Sequence, residues 1–448
     1  MKPLLILILW LGLFSAATAD NATDRIVQAP VDRVTADQQA YFLEDSSGKL
    51  TLDEVMSPAW QARFHHSDTH PNFNHGITQS VFWVKLVVAP PTTDAATTPT
   101  GHGDYLLEVP YPPLDHLEFY QPLTDGNVAH YVSGDTMPFE LRPIRHYTPV
   151  FPIKLQMEHP NTIYVRIAST GTLRIPLVVW EEKAFFDHTK FQLLVLGLYF
   201  GIMLLMLLYN FLFFVWLRDI NFLIYILYIG AMAVFQAASF GVGFQYLWQP
   251  YPWFNQYAII FMIFLIGLFS AMFAREVLSI RKTMPALDRL AKGILVFFLF
   301  ASVACFVLPY PTMLLVGTVS SIIEAIVLLM ISSINAYRGH RASKLFLTAW
   351  MALLASIFVL GGVTLGLLPA NDITSNSLLI GSTIEVILLS IMLADRVHMM
   401  EKDKTRTEKK AKIALQAVNR ALLDSNRVKD EFLATISHEM RTPMNGVI

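Results

Sequence analysis

The stretch ISHEMRTPMNGVI, residues 436–448, puts a histidine directly before a carboxylate. On an ideal helix with Phe432 at zero, Ile436, Met440 and Leu433 fall within about 100° of it, while His438 lies about 240° away. The imidazole is therefore expected on the face opposite the apolar stripe. Thr442, four residues on, is its neighbour one turn along. Pro443 removes a backbone donor, so a kink is expected just beyond. An exposed imidazole can attack a phosphoryl group through one ring nitrogen when the other nitrogen holds the proton and is oriented by an acceptor. Glu439 can be that acceptor, and phosphoryl transfer asks for little more than positioning and charge. Taken alone, the two residues read as an ordinary surface His-Glu pair on a coil.

Other residues could also do chemistry. FHHSDTHPNFNHG carries His65, His66, Asp68, His70 and His75, a ligand set suited to zinc or copper, although a solvated polar loop is the simpler account. Trp60, Phe64, Trp83, Tyr111 and Trp180 could form a sugar-stacking surface or could be core. Glu324 and Glu385 stand in the similar apolar contexts SSIIEAIVLL and GSTIEVILLS, and Asn210 stands in a third apolar run. Polar groups at such positions face the interior of a helical bundle, where they mark function or tie helices together.

The elements that position these residues follow from composition. Hydrophobic residues make up 54% of the 448 and charged residues 15%, which is not the balance of a water-soluble globule, so the excess is expected in lipid. A formal charge of -2 argues against nucleic acid as a partner. The single cysteine, Cys305, excludes a disulfide framework. Residues 1–19 have the layout of an export signal: Lys2, an apolar run and Ala17-Thr18-Ala19 before Asp20. An uncleaved anchor would leave the topology the same.

Residues 20–187 alternate like strands. Phe82, Val84, Leu86 and Val88 share a face, as do Ile163, Val165 and Ile167, and these read as half-buried strands. Further candidates at DYLLEVPY, LDHLEFYQ, VFPIKLQM and RIPLVVWE, separated by turn residues, indicate an antiparallel β-sandwich. PPTTDAATTPTGHG reads as an exposed loop. Residues 188–395 then hold seven apolar segments long enough for a hydrocarbon core of about 30 Å: 191–217, 220–240, 253–273, 291–309, 313–336, 345–368 and 376–395. The connections carrying Arg218, then Arg275, Arg281, Lys282, Arg289 and Lys292, then Arg338, Arg341 and Lys344 belong inside. GVGFQYLWQPYP, YPT and PANDITSN have neither Lys nor Arg and belong outside. The sandwich is thus expected outside and the C-terminus in the cytoplasm. Over residues 396–428 the chain is charged and helical. Ala411, Leu415, Val418, Leu422, Ser425, Lys429, Phe432 and Ile436 alternate steps of four and three, an imperfect coiled-coil seam that implies a homodimer. A single solvated helix is the alternative.

KDEFLATISHEMRTPMNGVI, residues 429–448, resembles the H-box of the dimerisation and phosphoacceptor domain of two-component sensor histidine kinases, with Ser437 to Pro443 matching together. The resemblance implies His438 as phosphorylated residue, Glu439 as acid/base partner and Thr442 as the residue that places water in phosphatase action. MNGVI is similar to hybrid kinases that continue into receiver domains. The exported block with LLEVPYPPLDHLEFYQP and RIPLVVW, followed by LGLYFGIMLLMLLYNFLFFVWLRDINFLIYILYI, is similar to bacterial seven-transmembrane receptors with diverse intracellular signalling modules, whose exported domain resembles carbohydrate-binding jelly rolls. The implied protein is an inner-membrane sensor with a periplasmic carbohydrate or ion as ligand, ATP with Mg as cofactor on a further domain, and a response-regulator or receiver aspartate as phosphate acceptor. The chain carries no ATP-binding motif, so it reads as the N-terminal part of a longer kinase, inactive by itself. A non-catalytic receptor, or a transporter in which Glu324 and Glu385 line a path, are the rivals.

Overall fold

The computed structural model describes residues 26–30, 32–66, 74–90, 104–156, 159–364, 367–368 and 371–444. The export segment, Asp68, His70 and nearly all of the loop PPTTDAATTPTGHG lie outside the described residues.

The N-terminal part is a β-sandwich. One sheet runs in the order His65–His66, Tyr41–Asp45, Val81–Ala89, Asn161–Ala168, His116–Pro122, Val128–Ser133, with Val27–Gln28 parallel to Val81–Ala89. The other runs Val150–Ile153, Tyr105–Glu108, Val178–Glu181, Arg33–Thr35. Each of the six sequence segments read as strands contains one of these. The alternation explains the core between the sheets: Phe82, Val84, Leu86 and Val88 meet Leu107, Phe151 and Val179, all buried. The expectation of half-buried strands fails for Val81–Ala89, whose other face holds Trp83 at 1% exposure. Two short helices, Leu52–Met56 and Pro58–Gln61, account for this, because their Val55 and Trp60 pack over Trp83 and Leu43. Thr51 starts the first of these helices with a capping box: the Glu54 carboxylate accepts the Thr51 N–H at 2.9 Å.

Strand Val178–Glu181 passes directly into the first of seven long helices among the described residues: α1 Glu182–Leu217, α2 Ile220–Ser239, α3 Pro252–Val277, α4 Pro285–Ala304, α5 Tyr310–Tyr337, α6 Arg341–Thr364 and α7 Ser377–Met444. All but α4 are long and apolar enough to cross a membrane. Leu194, Leu198, Leu205, Leu212 and Trp216 on α1 are exposed, as expected of a surface that meets lipid tails. The fourth expected span, 291–309, is displaced. Pro285 occupies the first turn of α4, where its missing N–H costs nothing, and the helix ends at Ala304, short of Pro309. Asp288, Arg289 and Lys292 therefore sit in its first two turns.

The two ends of the bundle differ as the charge pattern predicts. At one end Asp288 of α4 accepts from Arg275 Nε of α3 at 2.6 Å and pairs with Lys292 at 3.2 Å, and Arg341 pairs with Asp395 at 3.0 Å. The connections without Lys or Arg meet the sandwich at the other end. Gly241 there has φ 75°, and a Cβ at that position would come within 2.4 Å of the Tyr147 carbonyl oxygen of the sandwich. Only glycine allows that backbone and that approach.

Candidate functional site

The polar residues of α7 face the bundle core and are stitched to α1 and α2. Tyr228 of α2 donates to Glu385 Oε1 at 2.6 Å, and Tyr225 donates to the Val386 carbonyl. Asn210 of α1 donates to Ser390 Oγ at 3.2 Å and to its own Met206 carbonyl at 2.8 Å, and the hydroxyls of Tyr199 and Ser382 lie 3.2 Å apart. Glu385, Asn210 and Ser382 are fully buried. Positions 382, 385, 386 and 390 recur at helical spacing, so one face of α7 carries the whole seam. Glu324 lies elsewhere: it sits on α5 and accepts from Ser270 of α3 at 2.5 Å. The structure thus buries both predicted carboxylates but uses them to join different helix pairs.

The same helix continues beyond Val397 through His438 to Met444, 68 residues in all from Ser377, without a break between membrane span and the SHEMRTP motif. The backbone at His438, Glu439 and Thr442 is helical and remains so past Pro443, where a kink was expected. The side-chain directions predicted for these three residues lie outside the described residues. At 1.5 Å per residue, Glu385 and His438 stand about 80 Å apart along one rod. Leu415, Val418, Leu422 and Phe432 of the expected seam are 59–64% exposed.

The histidine-rich stretch is dispersed where it is described. His65 is exposed, His66 bonds the Gln38 carbonyl and meets the Tyr41 ring edge-on, and His75 lies against Phe82 with ring centroids 4.4 Å apart. Among the described residues no three His, Cys, Asp or Glu side chains are grouped to hold a metal ion. Nor do the five aromatics form one surface. Trp60, on the second short helix, and Phe64 pack over Trp83, Tyr111 packs against the sandwich core, and Trp180 is buried with Phe185 near the bundle.

Sequence reasoning missed the junction between sandwich and bundle. Phe139 and Tyr147, on the sandwich, belong to the same apolar cluster as Phe244 and Trp248 of the bundle. Arg142 lies over the Phe139 ring at 4.7 Å and the Phe244 ring at 5.6 Å, and its Nη1 donates to the carbonyls of His146 at 2.7 Å and Tyr147 at 3.1 Å. Burial lowers the Arg142 guanidinium to about 10 and the His146 imidazole to about 4. Glu108 accepts from Thr148 Oγ1 and Trp180 Nε1, both at 2.9 Å, and burial raises its carboxyl. A cleft of about 280 Å³ opens beside it, lined by Arg33, Asp37, Arg174, His188 and Asp372. The only available signal was the charged residues of SGDTMPFELRPIRHYTPV, which have no strand or helix period.

Two family models match the chain: 7TMR-DISM extracellular 2 over residues 37–181, and 7TM diverse intracellular signalling over residues 192–396. The chain belongs to the seven-transmembrane receptors with diverse intracellular signalling modules, membrane signalling proteins whose extracellular-type domain here precedes the helices. It is also 38% identical over 78 residues to hybrid signal transduction histidine kinase F of Dictyostelium discoideum; the match takes in 17% of this chain and 7% of that protein. The chain thus spans a small fraction of the length of that relative.

Proposed function

We propose that this chain is the sensing and transmitting part of a two-component sensor histidine kinase in a bacterial inner membrane. A periplasmic ligand biases the packing of the bundle, and α7 carries the change to His438, which takes phosphate from ATP with Mg bound on a separate kinase domain and passes it to a receiver aspartate. Glu439 orients the imidazole, and Thr442 places the water that hydrolyses the receiver's aspartyl phosphate to inorganic phosphate in the phosphatase reaction. The observation that carries this reading is that Glu385 and the SHEMRTP motif share one unbroken helix. The family matches and the partial likeness to a hybrid kinase support it.

Seven crossings are part of the proposal. An odd number is needed for sandwich and stalk to leave the bundle on opposite sides. Although α4 carries Asp288, Arg289 and Lys292 within its 20 residues, it begins beside Arg275 at the charged end and is followed by Tyr310, which lies against Gly171 of the sandwich. At about 30 Å it has the length to cross. Pairing of two stalks through the Leu415 to Ile436 seam would give the homodimer.

In a protein that joins this chain to an ATP-binding kinase domain, His438→Gln is expected to abolish acid-labile phosphate incorporation while membrane insertion stays unchanged. Retained incorporation would refute the assignment.

A further inference from the structure

Where the sandwich meets the outer ends of α2, α3 and α5 there is a second cavity, of about 170 Å³. Tyr111, Asp115 and Asp135 wall it from the sandwich, and Ser239, Gln256 and Tyr310 wall it from the bundle. We propose that this cavity binds a small organic ammonium ion with Asp135 as its counter-ion, and that this is the ligand site of the receptor. The binding half stands by itself; the signalling half rests on the function proposed above.

Asp135 is 8% exposed, and its Oδ1 has no hydrogen-bond partner, although its backbone carbonyl accepts from Asn255 of α3 at 3.0 Å. A buried carboxyl oxygen without a partner is costly, and a cationic donor in the cavity would satisfy it. Asp115 adds negative charge and one remaining lone-pair site, since its Oδ1 accepts only from Ser169 Oγ at 3.2 Å, while its Oδ2 accepts from Thr170 N–H at 2.8 Å and Thr170 Oγ1 at 2.6 Å. Arg142 is near enough to act on Asp135 through space, but no hydrogen bond joins the two: its Nη1 donates to the carbonyls of His146 and Tyr147, and its buried Nε has no partner.

A metal ion suits this donor set poorly. The Asp135 carboxylate, one remaining site on Asp115 and a few neutral oxygens fall short of the about six to eight oxygens that calcium takes. An ammonium group needs only three acceptors, which the Asp135 carboxylate, the Gln256 side-chain carbonyl and a tyrosine oxygen can supply. Because the walls come from the sandwich and three helices, an ion seated here would tie the domain to the bundle and favour one packing over another.

Protonation gives the site a signature. Burial, with Asp115 next, pushes the Asp135 carboxyl up to about 8, against the opposing pull of Arg142. Tyr111 stays neutral in this range because burial raises its phenol. The empty site therefore holds a proton at neutral pH, and an ammonium ion must displace it. An alkylammonium keeps its own charge to about pH 10, as lysine does.

The test is isothermal titration of the full 448-residue chain in lipid nanodiscs with ethylammonium chloride, beside calcium chloride and sodium acetate at matched ionic strength. Saturable ethylammonium binding is expected, with Kd falling about tenfold between about pH 6.5 and 7.5 and levelling above about 8. Asp135→Asn should remove binding while unfolding stays cooperative, and Gln256→Ala should weaken it several-fold. Absence of saturable binding at about pH 8.5, pH-independent binding by the unaltered chain, undiminished binding by the Asp135→Asn protein, or binding of calcium or acetate in its place would each overturn the site. If ethylammonium binds as expected but leaves His438 phosphorylation unchanged in the kinase-bearing protein, the signalling half falls and the site stands.

Discussion

Helix α7 crosses two environments without changing its backbone. Inside the bundle Glu385, Val386, Leu389, Met392 and Leu393 are at most 1% exposed, while further along Leu415, Val418, Leu422 and Phe432 are 59–64% exposed. The first half is held by side chains from α1, α2 and α6; the second carries an apolar stripe that nothing in a single chain covers. Fixed geometry in the membrane is thus joined to an incomplete surface outside it. No Gly or Pro interrupts residues 382–442, so a small rotation or slide at Glu385 need not be absorbed on the way to the stalk. It would change which residues the stripe presents to a partner.

The largest effect should come from giving the bare half a covalent reporter. With Cys305→Ser removing the single native thiol, Val418→Cys on the stripe is expected to yield mostly disulfide-linked dimers under mild oxidation. Arg420→Cys, on the opposite face, should stay monomeric, because a disulfide needs Cα atoms closer than about 7 Å. Non-reducing gels read the outcome directly. Equal cross-linking at both positions, or at neither, would make the outer half a solvated rod and remove the contrast with the buried half.

Next in size is the seam inside the bundle. Glu385→Ala leaves the Tyr228 hydroxyl buried without its acceptor and should lower stability by about 1–3 kcal/mol, measured as the shift of the unfolding midpoint in detergent. Glu385→Gln keeps an acceptor at the same place and should cost well under half as much. If both variants cost the same, the carboxylate does not anchor α7, and the buried half is held by apolar packing alone.

Both halves of α7 were legible in the sequence. The stripe, the span and both intramembrane carboxylates follow from local periodicity, because helix contacts repeat at short spacing and leave their mark on neighbouring residues. The same holds for Val81–Ala89 and Asn161–Ala168, whose alternation gave the sandwich. What escaped was set by contacts between distant residues. Asn255 reaches Asp135 across 120 positions, Thr148 reaches Glu108 across 40, and Trp83 is covered by a pair of helices too short to announce themselves. Partners as well as position decide what a carboxylate does: Glu324 and Glu385 have similar local sequences but bond to Ser270 of α3 and Tyr228 of α2. The offset of α4 has a third cause, since hydropathy alone continued the span to 309, whereas Pro285 and Pro309 set where the helix can begin and must have ended.

The smallest effect belongs to the charged surface of the stalk. Arg427 Nε donates to Glu431 Oε1 at 3.3 Å, with the two side chains 80% and 68% exposed. The pair also runs in the weaker order, cation before carboxylate, so it opposes the helix dipole. Glu431→Gln should therefore change stalk helicity by no more than about 0.3 kcal/mol at low salt and by nothing measurable once added salt screens the pair, followed by circular dichroism of the 398–437 segment. Should the stalk pair as proposed, the same substitution would still be nearly silent, because apolar residues and not this ion pair make the seam. A loss of more than about 1 kcal/mol would mean that Glu431 meets a cation on a second helix, and that the register of the pair differs from the one drawn through Val418 and Leu422.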